Sequence, residues 1–149
     1  MLTINIEHRF TDNALIIKRK MRILLHWTGG TTSEGAINWL DKRLGGNGTV
    51  GYCNIVDEDV NYVLYDPRIM FMQSSGLGKR YDAETIPIAF VSKGAYPSKT
   101  TIDSLKEVIA DYKDRFGIFE ITHHRNVNKN KPDFPDDFWN RLKKDLGEE

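Results

Sequence analysis

The run Met21 to Leu25 limits the fold more than any other segment. It is apolar apart from Arg22, too short for a stable helix, and it stops at His26-Trp27-Thr28-Gly29-Gly30. Such a run reads as a central strand feeding a glycine turn, so a sheet has to be built around it. Upstream, Leu2, Ile4 and Ile6 alternate with Thr3, Asn5 and Glu7, the period of a half-buried strand. Phe10 to Asn13 then reads as a turn, which predicts a hairpin-like start.

Helical spacing appears three times. Ser33 is placed to cap a helix whose apolar positions are Ala36, Ile37, Leu40 and Leu44, ended by Gly45-Gly46-Asn47-Gly48. Ile102, Leu105, Ile109, Tyr112 and Phe116 share one face of a second, with Thr100 or Thr101 as cap and Gly117 as stop. Asp136 to Leu146 forms the third, carrying Phe138, Trp139, Leu142 and Leu146. Between them, Thr49 to Val56 and Asn61 to Tyr65 flank Asp57-Glu58-Asp59 as a β-hairpin. Thr85 to Val91 reads as a strand interrupted by Pro87, and Ile118 to Thr122 as a short strand that delivers His123 and His124. Pro67 to Ala83 has no periodicity and is a candidate functional loop around Gln73-Ser74-Ser75-Gly76. The expected fold is α/β: a single domain over 1–149 with a mixed sheet of about five to six strands and about three helices packed on it. Residues 1–20 form an N-terminal extension, either an extra strand or a flap.

Composition narrows the function. Lysine plus arginine total 21 and aspartate plus glutamate total 21, so no net field draws the chain to nucleic acid or acidic lipid. The one cysteine, Cys53, closes no intrachain bridge and excludes an all-cysteine zinc cluster, leaving His and carboxylates as metal ligands. The first twenty residues lack the pattern of a signal peptide, and nowhere do about 18 apolar residues run together. The expectation is a monomer made in the cytoplasm, with no membrane or nucleic-acid partner.

The four histidines are His8, His26, His123 and His124, three of them just after expected strands. Loops at strand ends are held by a rigid sheet yet open to solvent, which lets an imidazole reach a metal or substrate. A lone histidine there is more often a hydrogen-bonded surface residue. The segment after His124 also contains Arg125, Lys129, Lys131 and Asp133. Two neutral imidazoles and one carboxylate satisfy zinc in an open site, leaving a fourth tetrahedral position for water.

Four motifs in order carry a resemblance: Leu24-Leu25-His26-Trp27-Thr28-Gly29-Gly30, Val50-Gly51-Tyr52-Cys53, Thr122-His123-His124-Arg125-Asn126-Val127 and Lys131-Pro132-Asp133. Together they resemble the zinc-dependent N-acetylmuramoyl-L-alanine amidases, the family that includes amidase-type phage lysozymes and peptidoglycan-recognition proteins. The resemblance implies a Zn2+ cofactor held by His26, His124 and Asp133, with His123 as a structural neighbour. It implies that Tyr52 orients or deprotonates the attacking water and that Lys131 stabilises the oxyanion. Tyr52 also sits where aromatic residues commonly pack across strands, and Lys131 also reads as a solvated lysine.

The implied activity is hydrolysis of the amide between N-acetylmuramic acid and L-alanine of peptidoglycan, as in a phage or prophage endolysin acting on the wall after release. The alternative is a non-catalytic peptidoglycan-binding or protein-regulating module on the same fold. Asn126 stands where the family usually has Asp, and Asp133-Phe134-Pro135 replaces its Asp-Pro-Gly. These departures bear on substrate contacts. Gln73 and Ser74 are placed to hydrogen-bond the peptide stem, and Trp27 to stack on a sugar or stem or to pack in the core.

Overall fold

A computed structural model of the chain describes residues 1–7, 15–16, 20, 22–28, 32–44, 51–68, 70–71, 74–75, 77–92, 96–118, 120–123 and 134–148. The run at 21–25 becomes β3 (Arg22–Trp27), whose Ile23, Leu24 and Leu25 are fully buried. It lies between two parallel neighbours, β7 (Thr85–Phe90) and β8 (Glu120–His123). The hairpin of β4 (Asn54–Asp57) and β5 (Val60–Val63) continues the sheet beyond β7, and β1 (Leu2–Asn5) closes that edge. The six-stranded order is β1-β5-β4-β7-β3-β8, antiparallel only between β4 and β5. This is the mixed sheet expected, at the upper end of the expected strand number.

The hairpin-like start is corrected. β1 pairs in parallel with β5, with Leu2 opposite Val60. The next strand, β2 (Leu15–Ile16), pairs instead with β6 (Met70–Phe71) in a separate two-stranded sheet. Local alternation marked a strand but held no information about a partner nearly sixty residues away. Residues 1–7 therefore supply an extra edge strand of the sheet.

Pro87 does not interrupt β7. Its carbonyl accepts from the Cys53 N–H at 2.8 Å, while the β4–β7 ladder begins one residue later, with Asn54 opposite Ile88. The missing proline N–H therefore faces chain that lies before the ladder, and no ladder bond is lost.

Four helices pack on the sheet among the described residues: α1 (Ser33–Leu44), α2 (Lys79–Ala83), α3 (Lys99–Phe116) and α4 (Asp136–Asp145). In α1 the hydroxyl of Thr32, one residue before the expected cap, accepts from the Gly35 N–H at 3.0 Å. In α3 the cap is Ser98 rather than Thr100 or Thr101; its Oγ accepts from the Thr101 N–H at 3.1 Å. Gly117 ends α3 with φ 64°, a left-handed conformation that glycine adopts without a Cβ penalty. α2 lies within the stretch read as patternless, because five residues are too few to show a period. α4 has Asp136 and Asp137 in its first turn, where the helix dipole favours negative charge, and buries Trp139 and Leu142. No described helix is long and apolar enough to cross a membrane.

Candidate active site

Strand alternation decides what β3 can present. Arg22, Leu24 and His26 point to one face, and Ile23, Leu25 and Trp27 to the other. His26 is 2% exposed, and its ring lies 5.0 Å from that of Tyr52, with the planes at 46°. Tyr52 is half-buried just before β4. Between the two, β7 places Ala89 directly opposite His26. Parallel partners share a face, so β7 presents a methyl group beside His26.

His123 faces the other way. It pairs with Leu25, so it shares the face of Trp27. It is fully buried, stacked on Phe134 and Trp139 with centroids 5.0 and 4.7 Å apart. Trp27 is on that face too, edge-on to Phe134 at 6.2 Å and to Phe138 at 5.5 Å. It is half-buried within an aromatic cluster completed by Phe90.

No model of a protein family matches the sequence, and no curated protein matches it. Solved structures do match over nearly the whole chain. The catalytic domain of XlyA superposes with a TM-score of 0.75 at 15% identity, covering 99% of this chain and 100% of that one. The N-acetylmuramoyl-L-alanine amidase LysC from Clostridium intestinale URNW gives 0.70 at 16%, covering 100% and 99%. The Ph2119 endolysin from the Thermus scotoductus MAT2119 bacteriophage Ph2119 gives 0.72 at 16%, covering 97% and 98%. This chain has the amidase fold.

Among the described residues, His26 and Tyr52 are the two expected site residues that the structure brings together. His124, Lys131, Asp133 and Gln73 lie outside the described residues. No group of three His, Cys, Asp or Glu side chains able to hold a metal occurs among the described residues. Cys53 is not suited to be a ligand. It is fully buried, 3.5 Å from both the Tyr112 hydroxyl and the Tyr65 carbonyl oxygen, and burial pushes its thiol up to about 12, so it stays protonated at neutral pH.

Ser74 is half-buried with an enclosed hydroxyl. The chain beside it is tied down: the Ser75 N–H donates to Asp82 Oδ1 at 3.1 Å and the Leu77 N–H to Ser75 Oγ at 2.9 Å. Sequence reasoning missed Asp82, 1% exposed, as the anchor of this stretch. It also missed Lys20, read as part of a basic run. Lys20 is 4% exposed, its Nζ donates to the Thr85 carbonyl at 3.1 Å, and burial lowers its pKa to about 8, against the pull of Asp82. Nothing in Lys18-Arg19-Lys20 marks which lysine turns inward.

Proposed function

We propose that the chain is a zinc-dependent hydrolase that cleaves the amide between N-acetylmuramic acid and L-alanine of peptidoglycan, in the role of a phage or prophage endolysin. The observation that carries this reading is the pairing of enclosed His26 with Tyr52 at the end of the central strand of an amidase fold. The donor set fits zinc: His26, His124 and Asp133 supply two imidazoles and a carboxylate. Support for His124 over its neighbour comes from strand alternation. His123 occupies the face of Leu25, opposite that of His26, which does not suit it to share a metal with His26.

Hydrolysis adds water across the scissile C–N bond and releases the lactyl carboxylic acid and the L-alanine amine. When bound, zinc supplies Lewis-acid polarisation of the carbonyl and lowers the pKa of water. The chain's residues do the remaining work. The Tyr52 hydroxyl, held by ring contact with His26, orients the attacking water and takes part in moving its proton. Lys131 offers a fixed cation to the oxyanion of the tetrahedral intermediate, where one such donor is worth on the order of 10²- to 10³-fold in rate. Gln73 offers its side-chain amide to the stem peptide.

The test is digestion of purified peptidoglycan with mass spectrometry of the soluble products. Stem peptides with a free N-terminal L-alanine are expected. Intact muropeptides, with the protein still sedimenting with the wall, would indicate the non-catalytic binding module instead.

A further inference from the structure

His123 has no part in the chemistry above, yet its imidazole is fully buried. It packs against two rings at shallow angles, 23° to Phe134 and 25° to Trp139, and those two rings touch each other at 6.1 Å. Nearly parallel faces about 5 Å apart are a stacking arrangement, worth more than the area buried alone. Its Nε2 lies 3.9 Å from Oδ1 of Asp136 in the first turn of α4. Phe134 is itself 0% exposed and is anchored by Phe90 at 5.4 Å and Phe138 at 5.1 Å. The stack therefore joins the end of β8 to the start of α4, two segments ten residues apart in sequence.

Those two segments carry the neighbours of proposed ligands. His124 follows His123 directly, and Asp133 directly precedes Phe134. We propose that the His123–Phe134–Trp139 stack is a brace that holds together the two chain segments from which the proposed ligands His124 and Asp133 depart. Consecutive Cα atoms are about 3.8 Å apart, so a ligand one residue from a locked ring cannot drift independently of it. His123 is thus a positioning residue, acting through its neighbour. The proposal rests on the zinc-site reading above. Partners that fix ligand orientation typically contribute about 10- to 100-fold to metal affinity.

The test is zinc affinity by chelator competition on the full chain, for wild type, His123→Ala, His123→Phe and Phe134→Leu, each with a melting curve to establish that it is folded. His123→Ala and Phe134→Leu are expected to bind one zinc at saturation but about 10- to 100-fold more weakly. His123→Phe, which keeps a flat ring in the slot, is expected to stay close to wild type. If His123→Ala does not fold, Phe134→Leu, which keeps most of the bulk, carries the test. Unchanged affinity in His123→Ala and Phe134→Leu overturns the brace. Complete loss of zinc at saturation in both His123 variants overturns it differently, by making His123 a ligand. A wild-type chain that takes up no zinc contradicts the site itself, and the brace with it.

Discussion

His26 and Tyr52 touch across an intervening strand. Their rings are 5.0 Å apart although β7 separates β3 from β4, two strand spacings or about 9 to 10 Å of sheet. Ala89, the partner of His26 on β7, adds only a methyl group to that face. Removing only the hydroxyl isolates its chemical role: Tyr52→Phe keeps the ring contact. Release of stem peptide is expected to fall by about 10²-fold or more, the usual scale for a positioned proton-transfer group, with melting temperature and zinc content unchanged. Activity near wild type would limit Tyr52 to packing.

Ala89→Leu makes the complementary test. The added methylenes meet the His26–Tyr52 pair in a packed interior, where overfilling typically costs about 1 to 3 kcal/mol. The variant is expected to melt lower and to lose most of its activity, whereas the equally buried Val56→Ile on β4 should lose far less activity. Comparable turnover in the two variants would mean that the ring spacing is not critical.

A chain of buried polar groups ties α3 to the hairpin. Tyr112 Oη donates to Asn54 Oδ1 at 2.7 Å, and Asn54 Nδ2 donates to Asn61 Oδ1 at 2.9 Å. Burial raises the pKa of the Tyr112 phenol, which therefore remains a donor throughout the neutral range. Tyr112→Phe leaves the Asn54 acceptor without that donor, at a cost of about 1 to 3 kcal/mol. For a chain of this size each kcal/mol lowers the melting temperature by about 2 to 4 °C, and a calorimetric scan reads the shift.

Lys20 predicts a pH dependence. Its pKa falls from 10.5 in the unfolded chain to about 8 in the folded one, chiefly through burial. Between those values the unfolded state binds more protons, so the stability due to this group rises with pH. The penalty of the buried charge is complete below about pH 8 and gone above 10.5. Chemical denaturation of wild type against Lys20→Met should show the variant's relative stability falling by about 3 kcal/mol across that window. A constant difference would place the Lys20 ammonium in solvent.

Much of the fold was legible because its signals are local. The run at 21–25, the faces of α1, α3 and α4, and the turn between β4 and β5 each lie within a dozen or so residues. Partner choice was not legible: β1 pairs with β5, and the residues that decide this are distant in sequence. Of the candidate site, the end of the central apolar run picked out His26, which lies inside β3 rather than after it, and motif order picked out Tyr52. The inward turn of Lys20 and Asp82 left no trace in sequence, because each is decided by what packs over it. The orientation of His123 is a strand property, and becomes readable once β8 is paired with β3.

Zinc held by His26, His124 and Asp133 is read out by elemental analysis of purified protein, with His26→Ala and Asp133→Ala measured beside wild type. About one zinc per wild-type chain is expected, lost in both variants while their melting curves still show folded protein. No zinc in wild type after reconstitution, or full occupancy in either variant, would contradict the account.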